Sequence, residues 1–344
     1  MKKCFIVLGM HRSGTSALMG VLKALSIEIG LGESGFIKPA KDNIKGFFEL
    51  VDVVNLNNRI LKKLGSSWDS LYPLPECWWQ QEGLNEYKDE ILRLIETNFK
   101  DSDIISIKDP RLCRLLPLWA DIFEKLGINA YYIISLRQPL EIANSLKIRD
   151  RFTQEKSLLL WMTYMLDAEF YSRKYPRVFI TYDRLLNDTA NTIDNISLTL
   201  DIKFPKKYED VRGEIAQFLD SSLKHHNQDT VPGKILSEDI FNFYRLMIGF
   251  VGKSALSNDD FSEIDNIRDR YFGPDNKIFY NRDVIELIIE REAALERLEK
   301  QLSKPKKTGP LKRLERNFRR KLLNPLKNKI RMLFSLNQED QRIN

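Results

Sequence analysis

The sequence has few cysteines, few histidines and no long apolar run, and each shortage excludes a class of protein. Only three cysteines and three histidines occur among 344 residues. The cysteines show no CxxC spacing, which excludes a disulfide framework and structural zinc, and three histidines exclude a histidine-rich metal site. No apolar run approaches the ~20 residues of a membrane-spanning helix. With 43% hydrophobic and 30% charged residues, the composition is that of a globular protein with a substantial core.

The N-terminus starts like a secretion signal but does not continue as one. Two lysines precede seven apolar residues at positions 4–10, and His11, Arg12 and Ser13 follow without a small-residue cleavage site. We therefore expect a buried first strand in a cytoplasmic protein.

The positive net charge is concentrated near the C-terminus. The chain has a net charge of +6, but residues 303–333 hold twelve basic residues and one acid. The remainder is therefore net acidic, and the charge characterises the tail rather than the body.

Short apolar runs alternate with helical patterns along the first 200 residues. The predicted strands cover residues 4–9, 104–107, 131–136 and 178–181, and the predicted helices cover residues 15–25, 51–64, 115–126, 140–148 and 192–200. Continuous apolar runs are typical of strands buried on both faces. Repeated β–α units predict an α/β fold, a three-layer α/β/α domain of the P-loop type with a mostly parallel central sheet.

The remaining segments predict a helical C-terminal extension. Residues 30–48 form a long loop, of the kind that is more often functional than not. We expect one domain over residues 1–280, whose helical part at 206–280 lies on the acceptor side. Residues 281–302 repeat apolar positions every seven residues and predict a long helix that could pair as a short coiled coil and make an oligomer. Residues 303–344 form a basic amphipathic tail.

The strongest functional pattern is the glycine-rich junction between the first strand and the first helix. Its G-x4-G spacing equals that of a nucleotide P-loop, and such a turn directs backbone N–H groups and a helix N-terminus at an anion. The usual lysine is missing, because Thr15 stands there, and Arg12 supplies a cation within the loop. A tight turn without a ligand is the alternative. The expected anion-binding residues are Gly9, His11, Arg12, Ser13, Gly14, Thr15 and Ser16.

A second anion anchor follows the third predicted strand. Arg137 ends that strand and Ser145 lies eight residues on, within the next helix. Ligands of parallel sheets bind beyond the carboxyl ends of the strands, so Arg137 is expected at the same edge as the glycine loop. An arginine fork and a hydroxyl suit a second phosphate. A surface pair between Arg137 and a carboxylate is the alternative.

These motifs together resemble the sulfotransferases that use 3′-phosphoadenosine 5′-phosphosulfate (PAPS). Residues 12–16 (RSGTS) are similar to the family's 5′-phosphosulfate loop, and residues 135–146 (SLRQPLEIANSL) to its 3′-phosphate motif. Residues 180–186 (ITYDRLL), which include Tyr182, resemble a third family segment. Residues 46–49 (GFFE) and 108–112 (KDPRL) resemble bacterial members found with surface-polysaccharide biosynthesis. The resemblance covers residues 2–227.

The resemblance implies sulfuryl transfer from PAPS to a hydroxyl, with no metal required. Transfer of this kind depends on in-line positioning and on charge stabilisation at the leaving oxygen, where Arg12 matches the family's cation. An acceptor hydroxyl also needs a general base. Glu49 matches the position of the glutamate in Golgi-type members, and Asp109 and Glu33 are the alternatives. A surface glutamate that interacts with a helix dipole is the non-catalytic interpretation of Glu49.

Several other residues have two interpretations each. Lys108 and Arg111 flank a strand end and could hold substrate or form a structural ion pair with Asp109. The pair at 225–226 (HH) could touch a ligand or end a solvated helix. Four tryptophans could stack on a sugar or pack in the core: Trp68, Trp78, Trp79 and Trp161.

The expected function is that of a PAPS-dependent sulfotransferase that acts on a cell-surface glycan or glycolipid intermediate. A P-loop kinase or other phosphotransferase, and a non-catalytic scaffold with a membrane-binding tail, are the alternatives. The tail spacing predicts a basic amphipathic helix, interrupted at Pro325, that could lie on the anionic inner face of a membrane. A disordered tail and binding to nucleic acid are further alternatives, and we expect no nucleic-acid partner.

Overall fold

The structure, a computed structural model, describes most of the first 273 residues. It covers residues 2–30, 35–39, 46–219, 234–253 and 256–273, together with Ala294 and Arg297. The chain divides into two compact units, Met1–Phe272 and Gly273–Asn344, and the fold described below is that of the first. Glu33, the histidines at 225–226, the tail at 303–344 and all but two residues of the 281–302 segment lie outside the described residues.

The centre of the first unit is a parallel sheet of four strands. These are β1 (Lys3–Leu8), β2 (Ile104–Lys108), β3 (Asn129–Leu136) and β4 (Arg177–Thr181), in the order β2-β1-β3-β4. The strands are all parallel to their neighbours. All four predicted strands are confirmed, with ends shifted by at most two residues. Because the strands share one direction, the segments that follow them emerge at the same edge of the sheet.

Helices connect and cover the strands. The α-helices within the described residues are α1 (Thr15–Ala24), α2 (Val51–Lys63), α3 (Asn85–Phe99), α4 (Leu112–Lys125), α5 (Pro139–Asp150), α6 (Gln154–Ser172), α7 (Tyr182–Asn187), α8 (Thr189–Leu200), α9 (Tyr208–Phe218), α10 (Lys234–Gly249) and α11 (Asn258–Phe272). Two short 3₁₀ turns, Trp78–Gln80 and Glu82–Leu84, precede α3. None of the described helices is both long and apolar enough to cross a membrane.

Helices pack on both faces of the sheet, which confirms the α/β fold with its three layers. On one face, alternate strand residues such as Phe5, Val7 and Ile133 join a buried apolar cluster with α1, α8 and α9. The opposite face is covered by α4 and α6, which contact β3. The alternation of side chains along a strand supplies both cores, since successive residues point to opposite faces.

The sequence did not indicate α6, although this helix is 19 residues long. Fourteen of its residues are buried, so it carries no polar face and no 3.6-residue periodicity. Trp161 on this helix, like Trp78 before α3, is fully buried, and the core interpretation of these two tryptophans is confirmed. The helices predicted within residues 206–280 are α9, α10 and α11 among the described residues, and their place on the acceptor side stays a prediction.

Candidate active site

The loop between β1 and α1 turns tightly through three residues with positive φ. Gly9, Arg12 and Gly14 have φ values of 156°, 73° and 85°, and the Ser13 N–H donates to the Met10 carbonyl at 3.1 Å. A Cβ on Gly14 would overlap the Tyr182 ring, because the aromatic ring packs directly on the loop. Glycine is therefore required at position 14 both by conformation and by space.

The loop leads directly into the amino end of α1. Within the described part of the chain, no side chain caps this helix end, and its first turn contains no acidic residue. Uncapped N–H groups and the positive end of the helix dipole favour an anion. The Ser135 hydroxyl donates to the Ser13 carbonyl at 2.9 Å, which attaches the loop to β3.

The two predicted anion anchors are in direct contact. Arg12 Nε donates to Ser145 Oγ at 2.7 Å, and Arg137 Nη1 donates to the Arg12 carbonyl at 2.9 Å. Arg137 is oriented by Glu141, whose carboxylate accepts from Nε at 2.8 Å, and its guanidinium lies 4.8 Å from the centre of the Tyr182 ring. The glycine loop, the segment from Arg137 to Ser145 and Tyr182 on α7 thus form one basic surface with an aromatic ring behind it.

Glu49 lies two residues before α2 and is not a surface residue. It is 8% exposed, and its Oε1 accepts from Lys108 Nζ at 2.6 Å. The helix-dipole interpretation assumed a solvated side chain, whereas the structure gives Glu49 a buried cation as its partner. Lys108 ends β2, so this pair lies at the same sheet edge as the glycine loop.

Asp109 follows Lys108 and has no exposed surface. Its Oδ1 accepts from the backbone N–H and from Nη1 of Arg111, at 3.0 and 2.8 Å, and its Oδ2 accepts from Asn57 at 2.8 Å. Asn57 in turn accepts from the Trp119 indole. Both oxygens of Asp109 are therefore engaged inside the protein. Arg111 forms the structural ion pair with Asp109 that was the alternative to substrate binding, whereas Lys108 pairs with Glu49 instead.

His11 occupies the centre of the loop and is buried. Its Nε2 is without a hydrogen-bond partner among the described residues. Its ring packs edge-to-face with the Trp68 ring, with 4.9 Å between the ring centres. Burial lowers the pKa of His11 well below its ordinary 6.5, and four cations lower it further: Arg111, Arg149, Lys108 and Arg12. His11 is therefore neutral at physiological pH.

The neutral state of His11 predicts a loss of stability on acidification. The folded pKa lies below the unfolded value, so the unfolded chain binds more protons once the pH falls below about 6.5. Between pH 8 and pH 5 the His11 contribution to the free energy of unfolding should fall, by at most about 2 kcal/mol for an unfolded-state pKa near 6.5. Urea unfolding of the wild type and of His11→Phe, which fills the aromatic site without titrating, would measure this difference.

The comparison with His11→Phe isolates one residue from the other titrating groups. The free energies of unfolding of the two proteins should diverge as the pH falls through 6.5 and the wild type should lose more. Parallel pH profiles would contradict a buried neutral imidazole.

Sequence reasoning named Trp68 but did not predict the group of side chains beside His11, which consists of Trp68, Phe152, Arg149 and Tyr164. Trp68 stacks on Phe152 at 5.6 Å, and the Arg149 guanidinium lies 5.5 Å from the Trp68 ring. The Tyr164 hydroxyl donates to the Trp68 carbonyl at 2.6 Å and anchors this segment to α6. No local sequence pattern could predict this group of side chains, because its members come from the segment after α2, from the end of α5 and the residues that follow it, and from α6.

No group of three or more His, Cys, Asp or Glu side chains in the described ranges could hold a metal ion.

Cys113 is buried and accepts from the Gly9 N–H at 3.1 Å through its sulfur. Burial raises the pKa of the Cys113 thiol, so this cysteine packs under the loop as an inert group.

Comparison with known proteins leaves the family of the chain open. No family model matches the sequence, and no curated protein matches it. Among solved structures, a sulfotransferase domain from the curacin biosynthetic pathway is similar over 78% of this chain and 97% of its own length, with 14% identity and a TM-score of 0.36. At this identity and TM-score, the likeness is too distant to decide the activity of this chain.

Proposed function

We propose that this protein is a sulfotransferase that moves a sulfuryl group from PAPS to a hydroxyl. The observation that carries the proposal is the contact between two anion anchors, made by the hydrogen bonds of Arg12 with Ser145 and of Arg137 with the Arg12 carbonyl. PAPS carries one phosphate on the 3′ position and a phosphosulfate on the 5′ position, so a binding site for it needs two adjacent anion sites. A nucleoside triphosphate would use the glycine loop but has no 3′-phosphate for Arg137.

The residues present fit this donor. Gly9, Ser13, Gly14, Thr15 and Ser16 would hold the 5′-phosphosulfate at the amino end of α1, where N–H groups are uncapped. Arg137 and Ser145 would hold the 3′-phosphate, and Tyr182 backs both sites. Arg12 lies between the sites and would stabilise the charge that develops on the leaving phosphate oxygen.

The geometry favours Glu49 over Asp109 as the base that accepts the hydroxyl proton. Asp109 is fully buried and uses both oxygens for Arg111 and Asn57. Glu49 pairs with Lys108 through Oε1. A general base must reach the proton that it accepts, so Glu49, whose Oε2 accepts no hydrogen bond from the part of the chain that the structure describes, is the better candidate.

Nucleotide selectivity tests this proposal in one experiment. Isothermal titration with 3′,5′-bisphosphoadenosine, ATP and GTP should give binding of the bisphosphate alone or by far most tightly. Preferential binding of ATP or GTP would favour a phosphotransferase, and absence of binding by all three would favour a scaffold.

Replacement of Arg137 should distinguish the proposed 3′-phosphate site from the proposed 5′-phosphosulfate site. Arg137→Ala should lower the affinity for 3′,5′-bisphosphoadenosine by about 10- to 150-fold. This corresponds to ~1.5–3 kcal/mol of binding free energy, the range for a charged hydrogen bond. Adenosine 5′-phosphosulfate lacks the 3′-phosphate, so its affinity should barely change. Equal losses for the two ligands, measured by titration calorimetry, would contradict the 3′-phosphate assignment.

The acceptor proposed from the sequence is a glycan or glycolipid intermediate, reached at the inner face of a membrane through the basic tail. Residues 303–344 lie outside the described residues, so this part rests on their charge and apolar spacing alone. The full chain should co-sediment with anionic vesicles, and a truncation that ends at Leu302 should not. Equal retention of both proteins would argue against a membrane-binding tail.

A further inference from the structure

We propose that Lys108 is a positioning residue that holds the Glu49 carboxylate beside the glycine loop. The role of Glu49 rests on the proposed function, whereas the hold of Lys108 on Glu49 is a property of the fold. The two parts can therefore be tested separately.

Lys108 Nζ joins three acceptors from two different segments. It lies 2.6 Å from Glu49 Oε1, 2.9 Å from the Phe47 carbonyl oxygen and 3.3 Å from Ser16 Oγ. An ammonium group has three N–H donors, so these contacts use all of them. Ser16 also donates to the Phe47 carbonyl at 3.1 Å. Lys108 thus ties the segment that carries Glu49 to the first turn of α1.

Burial makes this ion pair decisive for the orientation of Glu49. The side chains of Lys108 and Glu49 are 2% and 10% exposed. A buried carboxylate without a cation is unfavourable, and it either turns toward water or takes up a proton. In either case Glu49 would lose the ionised carboxylate that Lys108 holds within its own reach of Ser16.

Two other contacts explain why the loss of Lys108 should not unfold the site. Asp109 and Arg111, the neighbours of Lys108 in sequence, bind Asn57 and Asn58 further along α2, at 2.8 and 2.7 Å. The body of α2 therefore stays attached to the end of β2 when Lys108 is replaced. The segment before the helix, which includes Glu49, and the first turn of α2 lose the tie that Lys108 makes, while Ser16 still donates to the Phe47 carbonyl.

Lys108 is also close enough to Ser16 to act directly on a group bound at the loop, and a double-mutant cycle distinguishes the two roles. A residue that acts through Glu49 has no further effect once Glu49 is disabled, whereas a residue that acts on the transferred group does. Each single variant and the double variant are therefore needed.

The structural part is tested by hydrogen exchange of the full-length protein. In Lys108→Met, amides of residues 47–54 should exchange faster than in the wild type by about tenfold or more. Lys88→Met is the matched control, because it removes another lysine–carboxylate pair, with Asp121 at 3.6 Å, between α3 and α4. Unchanged exchange at 47–54 in Lys108→Met, or the same change in both variants, would overturn the proposal. Lys108→Gln is the second variant if Lys108→Met does not fold.

The kinetic part uses sulfuryl transfer from PAPS to methyl glycosides. Lys108→Met should lower kcat by about 10²-fold, and the affinity for 3′,5′-bisphosphoadenosine should stay within about threefold of the wild type. In the Glu49→Gln background, the same substitution should change kcat by less than about threefold. Losses that multiply would overturn the positioning role. A wild type that binds no bisphosphoadenosine would refute the proposed function, and hydrogen exchange would still decide whether Lys108 holds the Glu49 segment.

Discussion

Glu49→Gln should lower kcat by about 10²–10⁴-fold, the range for loss of a general base. Glutamine has nearly the shape of glutamate and can still accept from Lys108, which contacts Oε1 at 2.6 Å. It cannot take the proton of the acceptor hydroxyl. The affinity for 3′,5′-bisphosphoadenosine should therefore change little, and the loss should appear in the rate of transfer to methyl glycosides.

Asp109→Asn is the comparison that makes this test specific. Asp109 is buried and bound to Arg111 and Asn57, so its replacement should act mainly on stability and only weakly on kcat once the protein is folded. Thermal unfolding would measure the first effect. If Glu49→Gln keeps the wild-type kcat while folded Asp109→Asn loses it, Asp109 rather than Glu49 is the base.

Arg12→Ala should lower kcat by about 10²–10³-fold, as expected when one donor to a developing oxyanion is removed. The negative charge on the leaving phosphate oxygen grows in the transition state, so the loss in kcat should exceed the loss in affinity for 3′,5′-bisphosphoadenosine. Titration calorimetry and single-turnover rates would measure the two losses.

The contact of Arg12 with Ser145 defines the alternative outcome. Because Arg12 Nε lies 2.7 Å from Ser145 Oγ, its charge could serve the 3′-phosphate site instead. In that case Arg12→Ala would weaken the bisphosphate as strongly as Arg137→Ala does and leave kcat of the saturated enzyme nearly unchanged. Ser145→Ala removes the contact without removing the charge and is the matched comparison.

The sheet and the glycine loop could be predicted from the sequence because their signals are local. Apolar runs of four to eight residues, each followed by a helical pattern, are typical of parallel strands. The loop needs glycines at positions 9 and 14, and the positive φ values there agree with that requirement. The common edge of Arg12, Lys108 and Arg137 then follows from the parallel direction of the strands.

Helix α6 could not be predicted by the same reasoning. It is buried by α4, by α5 and by β3, and its apolar residues therefore surround the axis instead of forming one stripe. Periodicity reports a boundary between core and water, and a helix enclosed by other elements has little such boundary.

The sequence by itself determined the α/β fold class, the four strands and the glycine-rich turn between β1 and α1. Only the tertiary structure decided which partners the titratable side chains have and how far they are buried. The fold pairs Glu49 with Lys108 and encloses Asp109 with Arg111 and Asn57. It also buries His11 beside several cations, and burial first and those charges second lower its pKa. The physical reason is that the free energy of a charged side chain depends on its distance to other charges and to water. These distances are set by residues that lie far apart along the chain.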